Sequence, residues 1–307
     1  MKKIFCLVCG CITAALTACE KPILGDDEGT TAPRGNVVLT FSASGAQTRA
    51  ATVPAPSGAV LATRAATTAI GSYFTKLNVM LFNDDGTKYF DKVRTQYSTD
   101  EDFGQMALTL PAGEYTVVAV GHSSAKSATI KSPEMVQFTA SEGQKLTDTF
   151  CYEGTVTVGD EPEQHALTMN RVAAMIRFQF TDDEVPAALT HIKFDYTGGS
   201  ANFNPTTSEG TTKSAQSETR PVSADDQYRI FTFPYQSATG TLKITVSALT
   251  ADGTVIKKRT LESVPVTRNR ITSFVGPLFT DGDGTITQSG FGFTVNGDWD
   301  GEDSYPF

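Results

Sequence analysis

Two kinds of residue in this sequence sit where chemistry can reach them. Cys19 closes the run Leu16-Thr17-Ala18-Cys19, directly after a short apolar stretch, where a thiol can be acylated. Arg49-Ala50 and Arg64-Ala65 lie in residues 45–69, GAQTRAATVPAPSGAVLATRAATTA, a segment with almost no large hydrophobe. A trypsin-like protease needs an extended, unpacked stretch around a basic residue, and a segment of this composition offers one. The other candidates for chemistry are scattered. His122, His165 and His191 are isolated, with no carboxylate or thiol at ligand spacing. No Gly-x-Ser-x-Gly elbow, His-Glu-x-x-His pair or phosphate loop occurs. The pairs Asp182-Asp183 and Asp225-Asp226 fall in hydrophilic turns, and Asp281-Gly282-Asp283-Gly284 lacks the later acidic ligand of a calcium loop. These features point away from an enzyme and imply no metal and no cofactor.

The leader sets the compartment. Lys2 and Lys3 precede an apolar run from Ile4 to Leu16, too short to span a bilayer and of the form of a secretory signal. Residues 1–18 are the expected signal peptide, and the small residues before Cys19 resemble a bacterial lipobox. That resemblance implies a cut between Ala18 and Cys19, a diacylglycerol on the Cys19 thiol and an acylated new amine. At ~0.8 kcal/mol per buried methylene, several acyl chains hold a protein firmly on a membrane. Glu20, in place of Asp, fits sorting to the outer membrane, and residues 19–35 read as a polar, acidic tether. Losing Lys2 and Lys3 with the leader takes the formal charge from −9 to −11, which argues against nucleic acid. Cys6, Cys9 and Cys11 leave with it, so Cys151 has no disulfide partner and reads as a small buried hydrophobe.

The elements that must position these residues are strands. Over 307 residues the chain is 39% hydrophobic and only 19% charged, Thr-rich, with 26 Gly and 14 Pro to punctuate it. Val37, Leu39 and Phe41 alternate in a first strand before residues 45–69. Leu77–Phe82 is a buried-type strand ended by Asn83-Asp84-Asp85-Gly86, and Met106–Leu110 and Glu114–Val120 flank Pro111-Ala112-Gly113. Further strands are predicted at Ala174–Phe180, Leu189–Tyr196, Tyr228–Tyr235, Leu242–Leu249 and Val255–Val266, the last two joined by Ala251-Asp252-Gly253. Val136–Phe138 and Thr155–Val158 give weaker strand signals, and residues 197–227 are a polar stretch with room for one short strand and no core signal. No segment shows a sustained helical period, so the chain is expected to be all-β. The reading divides it into an N-terminal β-sandwich over 36–160, with a protease-sensitive loop at 45–69, and a C-terminal one over 161–307.

Several motifs together resemble the FimA-like fimbrillin superfamily, surface lipoproteins that build protease-assembled (type V) pili. They are the lipobox, the Thr-Arg-Ala sites, the run Leu110-Pro111-Ala112-Gly113-Glu114-Tyr115, the run Leu167–Ile176, and a C-terminal strand ending in an aromatic, Val295 to Trp299. The resemblance implies two tandem transthyretin-like β-sandwich domains and a structural subunit of cell-surface fimbriae. It implies an outer-membrane lipoprotein precursor, cut by an Arg-specific surface protease at Arg49 or Arg64 to leave Ala50 or Ala65 first. Its partners are other fimbrial subunits, joined by strand exchange. The strand to be displaced is the one bearing Val37, Leu39 and Phe41; the donor is the tail, whose Phe291, Phe293 and Val295 fall on one face. The superfamily also contains uncleaved anchors and tip adhesins, and the motifs fit these as well. A reading of another class is a surface glycan-binding lipoprotein using Tyr196, Phe203, Tyr235 and Trp299.

Overall fold

The computed structural model describes residues 34–44, 70–138, 146–222 and 227–279 and the backbone of a last strand at 302–306. Contacts group residues 33–307 into one compact unit. Every element named below is a strand, in accord with the expected all-β class. In chain order they are β1 (Arg34–Ala43), β2 (Lys76–Asn83), β3 (Arg94–Tyr97), β4 (Gln105–Pro111), β5 (Gly113–His122), β6 (Thr129–Ser132) and β7 (Met135–Gln137). Then follow β8 (Phe150–Val158), β9 (Glu163–Arg171), β10 (Ala174–Phe180), β11 (His191–Thr197), β12 (Asn202–Asn204) and β13 (Glu209–Gly210). The last are β14 (Gln216–Pro221), β15 (Gln227–Thr232), β16 (Thr239–Leu249), β17 (Val255–Thr267), β18 (Ile271–Gly276) and β19 (Glu302–Pro306).

The first half builds a seven-stranded sheet in the order β3-β2-β5-β8-β9-β1-β4. Its strands surround one core, in which Phe41 of β1 and Leu110 of β4 join Leu81 of β2 and Val117 of β5. The period-two pattern explains which side chains go inward: Met106 and Leu110 are buried while Ala107 and Thr109 between them are exposed. β2 breaks that pattern because all of Leu77–Phe82 is buried, as a continuous apolar run requires of a strand covered on both faces.

The second half is a sandwich of two four-stranded sheets, β15-β10-β18-β19 and β14-β11-β16-β17. Phe178 of β10 lies 5.0 Å from Phe194 of β11 and stacks 5.4 Å from Phe274 of β18, ring centre to ring centre. The Ile192/Phe194/Tyr196 alternation expected of β11 is present, all three buried. The hairpin between β16 and β17 turns at Gly253, whose φ of +85° suits glycine, with its N–H donating to Thr250 O.

The seam differs in place from the sequence expectation. Residues 159–162 form a turn between β8 and β9, both strands of the seven-stranded sheet. The buried cluster changes between Ala173 and Ala174, where the run from His165 to Phe180 divides into β9 and β10. A fourth sheet, β13-β12-β7-β6, crosses that seam: Asn202 and Phe203 of β12 pair with Gln137 and Val136 of β7. Residues 197–227, expected to lack a core signal, thus place Ala201 and Phe203 in the first core. Strands of two or three residues take their conformation from tertiary contacts and leave little trace in local pattern.

Candidate functional site

The site that the sequence singles out within the described residues is the seat of β1. Its inward residues Val37, Leu39 and Phe41 are each 1% exposed. β1 runs antiparallel to β4, with Val37 opposite Leu108 and Leu39 opposite Met106. On its other side it runs parallel to β9, with Leu39 opposite His165, Phe41 opposite Leu167 and Ala43 opposite Met169. The end of the strand is fastened by Phe41 N–H donating to Gly104 O at 2.8 Å and Ser44 N–H donating to Met169 O at 2.8 Å. Gly104 is required here, since a β-carbon on it would meet Ile70 Cδ1 at 2.4 Å and its φ is +89°.

β1 is the strand on which two others depend. Among the described residues β4 pairs with β1 alone. β9 pairs with β8 only at Cys151↔Asn170 and Phe150↔Arg171, so its stretch Glu163–Met169 has β1 as its ladder partner. Burying three side chains of this size is worth about 4.5–9 kcal/mol at ~1.5–3 kcal/mol each. That is comparable to the whole net stability of an ordinary domain. Loss of β1 with nothing in its seat would therefore cost a large share of the fold's stability. The remaining edges of the seven-stranded sheet, β3 and β4, flank a groove of about 930 Å³ lined by Tyr89–Gln96 and Met106–Leu110.

The other expected positions are distributed as follows. Ala18, Cys19, Arg49, Ala50, Arg64 and Ala65 lie outside the described residues, as do Asp281–Gly284, Phe291, Phe293, Val295 and Trp299. A C-terminal strand that sequence reading did not single out is β19, which pairs in parallel with β18 from Ile271↔Glu302 to Val275↔Pro306. Its sequence EDSYP carries two acids and a proline, so neither propensity nor alternation marks it.

The three histidines are far apart in role. His122 is fully buried and hydrogen-bonded to Asn78, and His191 Nδ1 lies 2.9 Å from Thr190 Oγ1. His165 Nε2 lies 3.4 Å from Glu163 Oε2 beside β1. Among the described residues no three His, Cys, Asp or Glu side chains gather as metal ligands do. Cys151 is buried, which pushes its thiol pKa well above the ordinary value; the neighbouring Glu153 adds to this. Of the aromatics considered for glycan contact, Tyr196 and Phe203 are core residues, at 1% and 0% exposure. The Tyr196 hydroxyl donates to Glu218 Oε1 at 2.7 Å. Burial raises its pKa well above the usual phenol value, and the Glu218 carboxylate adds to that. Tyr235 is half-buried with Lys213 Nζ 5.1 Å from its ring centre.

The fold and this seat define an all-β protein built of sandwiched sheets, with a leading strand held on both sides. The chain belongs to the family of unknown function DUF6562, whose signature matches residues 30–306. No curated protein sequence matches the chain significantly. Among solved structures it is similar to a Bacteroides thetaiotaomicron protein proposed to be an adhesin, at 15% identity and a TM-score of 0.44, over 75% of this chain and 80% of that one. It is similar to a fimbrial assembly protein from Parabacteroides distasonis, at 13% identity and a TM-score of 0.40, over 80% and 90%. It is also similar to the fimbrial anchor protein Mfa2 from Porphyromonas gingivalis, at 16% identity and a TM-score of 0.37, over 73% and 81%.

Proposed function

We propose that this protein is a structural subunit of a cell-surface fimbrium, exported as an outer-membrane lipoprotein through Cys19 and assembled by strand exchange. The observation that carries the reading is the seat of β1, with three apolar side chains 1% exposed and a ladder on both sides. In sequence, β1 stands between the lipidated cysteine and the first arginine site, so a cut after Arg49 or Arg64 puts β1 and the lipid on one fragment. Loss of that fragment would bare the backbone edges of β4 and β9 and the apolar seat between them. An extended segment of another subunit meets both needs: its main chain restores the ladders and alternate side chains refill the seat. The run Phe291, Phe293, Val295 has the required alternation. Retaining β1 until the cut keeps subunits from joining before they reach the surface.

Treatment of the lipidated precursor with an Arg-specific protease, followed by N-terminal sequencing and unboiled gel electrophoresis, tests this. A new start at Ala50 or Ala65 together with ladders that resist SDS is the expected result. Cleavage that leaves only monomers sinks the exchange reading. A chain that resists the protease while co-purifying with filaments is an anchor, and glycan capture by the uncleaved monomer points to the binding reading instead.

A further inference from the structure

His122 ends β5 at the place where the chain leaves for the β6–β7 hairpin, and it is 0% exposed. Its Nδ1 accepts a hydrogen bond from Ser124 N–H at 3.1 Å, so the ring proton sits on Nε2, which donates to Asn78 Oδ1 at 2.8 Å. Asn78 is fixed in that orientation because its Nδ2 donates to Thr95 Oγ1 at 2.8 Å, and its Oδ1 also accepts Ala128 N–H at 2.8 Å. Lys76 Nζ donates to Ser124 O at 2.7 Å and to Ala125 O. On the far side of the hairpin, the Phe138 ring meets the imidazole edge-on, 5.0 Å between centres. One neutral imidazole thus holds both the outgoing and the returning chain of the hairpin.

What the hairpin carries makes this more than a local detail. β7 pairs with β12, and Phe138 packs 5.9 Å from Phe233, which packs 4.8 Å from Phe203 of β12. The hairpin is therefore the first-half portion of the sheet that crosses the seam between the two cores.

We propose that His122 is an acid-released pin: protonating its Nδ1 frees the β6–β7 hairpin and so loosens the sheet that joins the two halves of the protein. A protonated Nδ1 has no lone pair left for Ser124 N–H. The ring would also become a second buried cation next to Lys76, the charged group that faces it among the described residues; its other partners, Asn78, Ser124 and Phe138, carry no charge. Burial, with Lys76 adding to it, lowers the pKa from the ordinary 6.5 to about 3. The sign follows from the closed state binding fewer protons than the open one. The pin is at full strength above pH 6.5 and weakens steadily as pH falls from there towards about 3. Between pH 7.5 and pH 5.0 the local opening equilibrium rises about 30-fold.

Hydrogen–deuterium exchange on the full chain, corrected for the pH dependence of intrinsic exchange, tests the proposal. Peptides covering 124–138 and 200–204 should gain about 30-fold in opening from pH 7.5 to pH 5.0. Peptides covering 77–82 and 242–249 should not change. In His122→Gln the first set should be fast and insensitive to pH. A flat profile in the unmodified chain overturns the proposal, as does a rise shared equally by all four peptides or one that persists in the variant. If the variant does not fold, the contrast between the two sets in the unmodified chain decides alone.

Discussion

Arg171 Nη1 donates to Asn269 Oδ1 at 3.1 Å and thereby fastens the last residue of β9, in the seven-stranded sheet, to the β17–β18 turn of the second sandwich. The same guanidinium donates through Nε to both Asp148 carboxylate oxygens, at 2.9 and 3.1 Å, and lies 4.5 Å from the centre of the Phe150 ring. Asn269 is well suited to its side of the clasp. Its φ of +56° is one that Asn tolerates, and its N–H donates to Ala173 O at 2.9 Å, next to the point where one core gives way to the other. Burial raises the Asp148 pKa while the Arg171 hydrogen bond and charge pull it down, so the carboxylate depends on this partner.

Replacing Arg171 should therefore cost more than the hydrogen bonds it makes. Arg171→Ala strands a largely buried carboxylate and is expected to lose about 3 kcal/mol in urea unfolding. Asn269→Gly keeps the backbone conformation and removes one acceptor, for about 1 kcal/mol. Asn269→Ala adds the strain of a left-handed alanine, about 1 kcal/mol more. A glycine variant worse than the alanine one would show that left-handed strain at position 269 does not set the difference.

Along β1, the burial pattern makes neighbouring positions behave differently. Phe41→Ala empties a site that is 1% exposed and should cost about 3–5 kcal/mol. Thr40→Ala, at the half-buried position beside it, should change stability by about 0.5 kcal/mol or less. Equal effects at the two positions would mean that β1 contributes little to the core. Because β4 and the first part of β9 rest on β1, Phe41→Ala should also raise hydrogen exchange in Met106–Leu110 and His165–Met169.

Cys151 should be chemically silent in the native protein. The thiolate is the reactive form, and burial raises the pKa so far that almost none exists at pH 8. A disulfide-exchange reagent should leave Cys151 unlabelled at pH 8 and label it fully once guanidinium unfolds the chain. Rapid labelling of the folded protein at Cys151 would contradict the packing of Phe150-Cys151-Tyr152 described above.

How much of this was legible in the sequence depended on strand length and on what covers each face. β1, β4, β10 and β11 announced themselves because one face is buried and their apolar residues alternate; β2 did so as an unbroken apolar run. The fourth sheet showed only a weak signal, at Val136–Phe138. β12 and β13 have three and two residues, and Phe203 pairs with Val136 of β7, 67 residues upstream. β19 was silent, since a parallel edge strand is held by main-chain bonds that any sequence can make. The seam was displaced for a related reason: Val158 to Glu163 has the polar, turn-rich look of a linker, but the same residue types serve a turn inside one sheet. The arginine, cysteine and donor-strand positions rest on sequence motifs, whereas the His122 and Arg171 networks depend on side chains brought together from distant strands.

The parallel union of β1 with β9 has a kinetic side. Ser42 and Thr168, hydrogen-bonded across it at 3.3 Å, are 126 residues apart along the chain. Contacts of such long range form slowly, because closing the intervening loop precedes any reward from pairing. During synthesis at ~5–20 residues per second, β1 spends several seconds or more with only β4 to pair with. The leading strand thus gains its second partner only after every other strand of the seven-stranded sheet has been made.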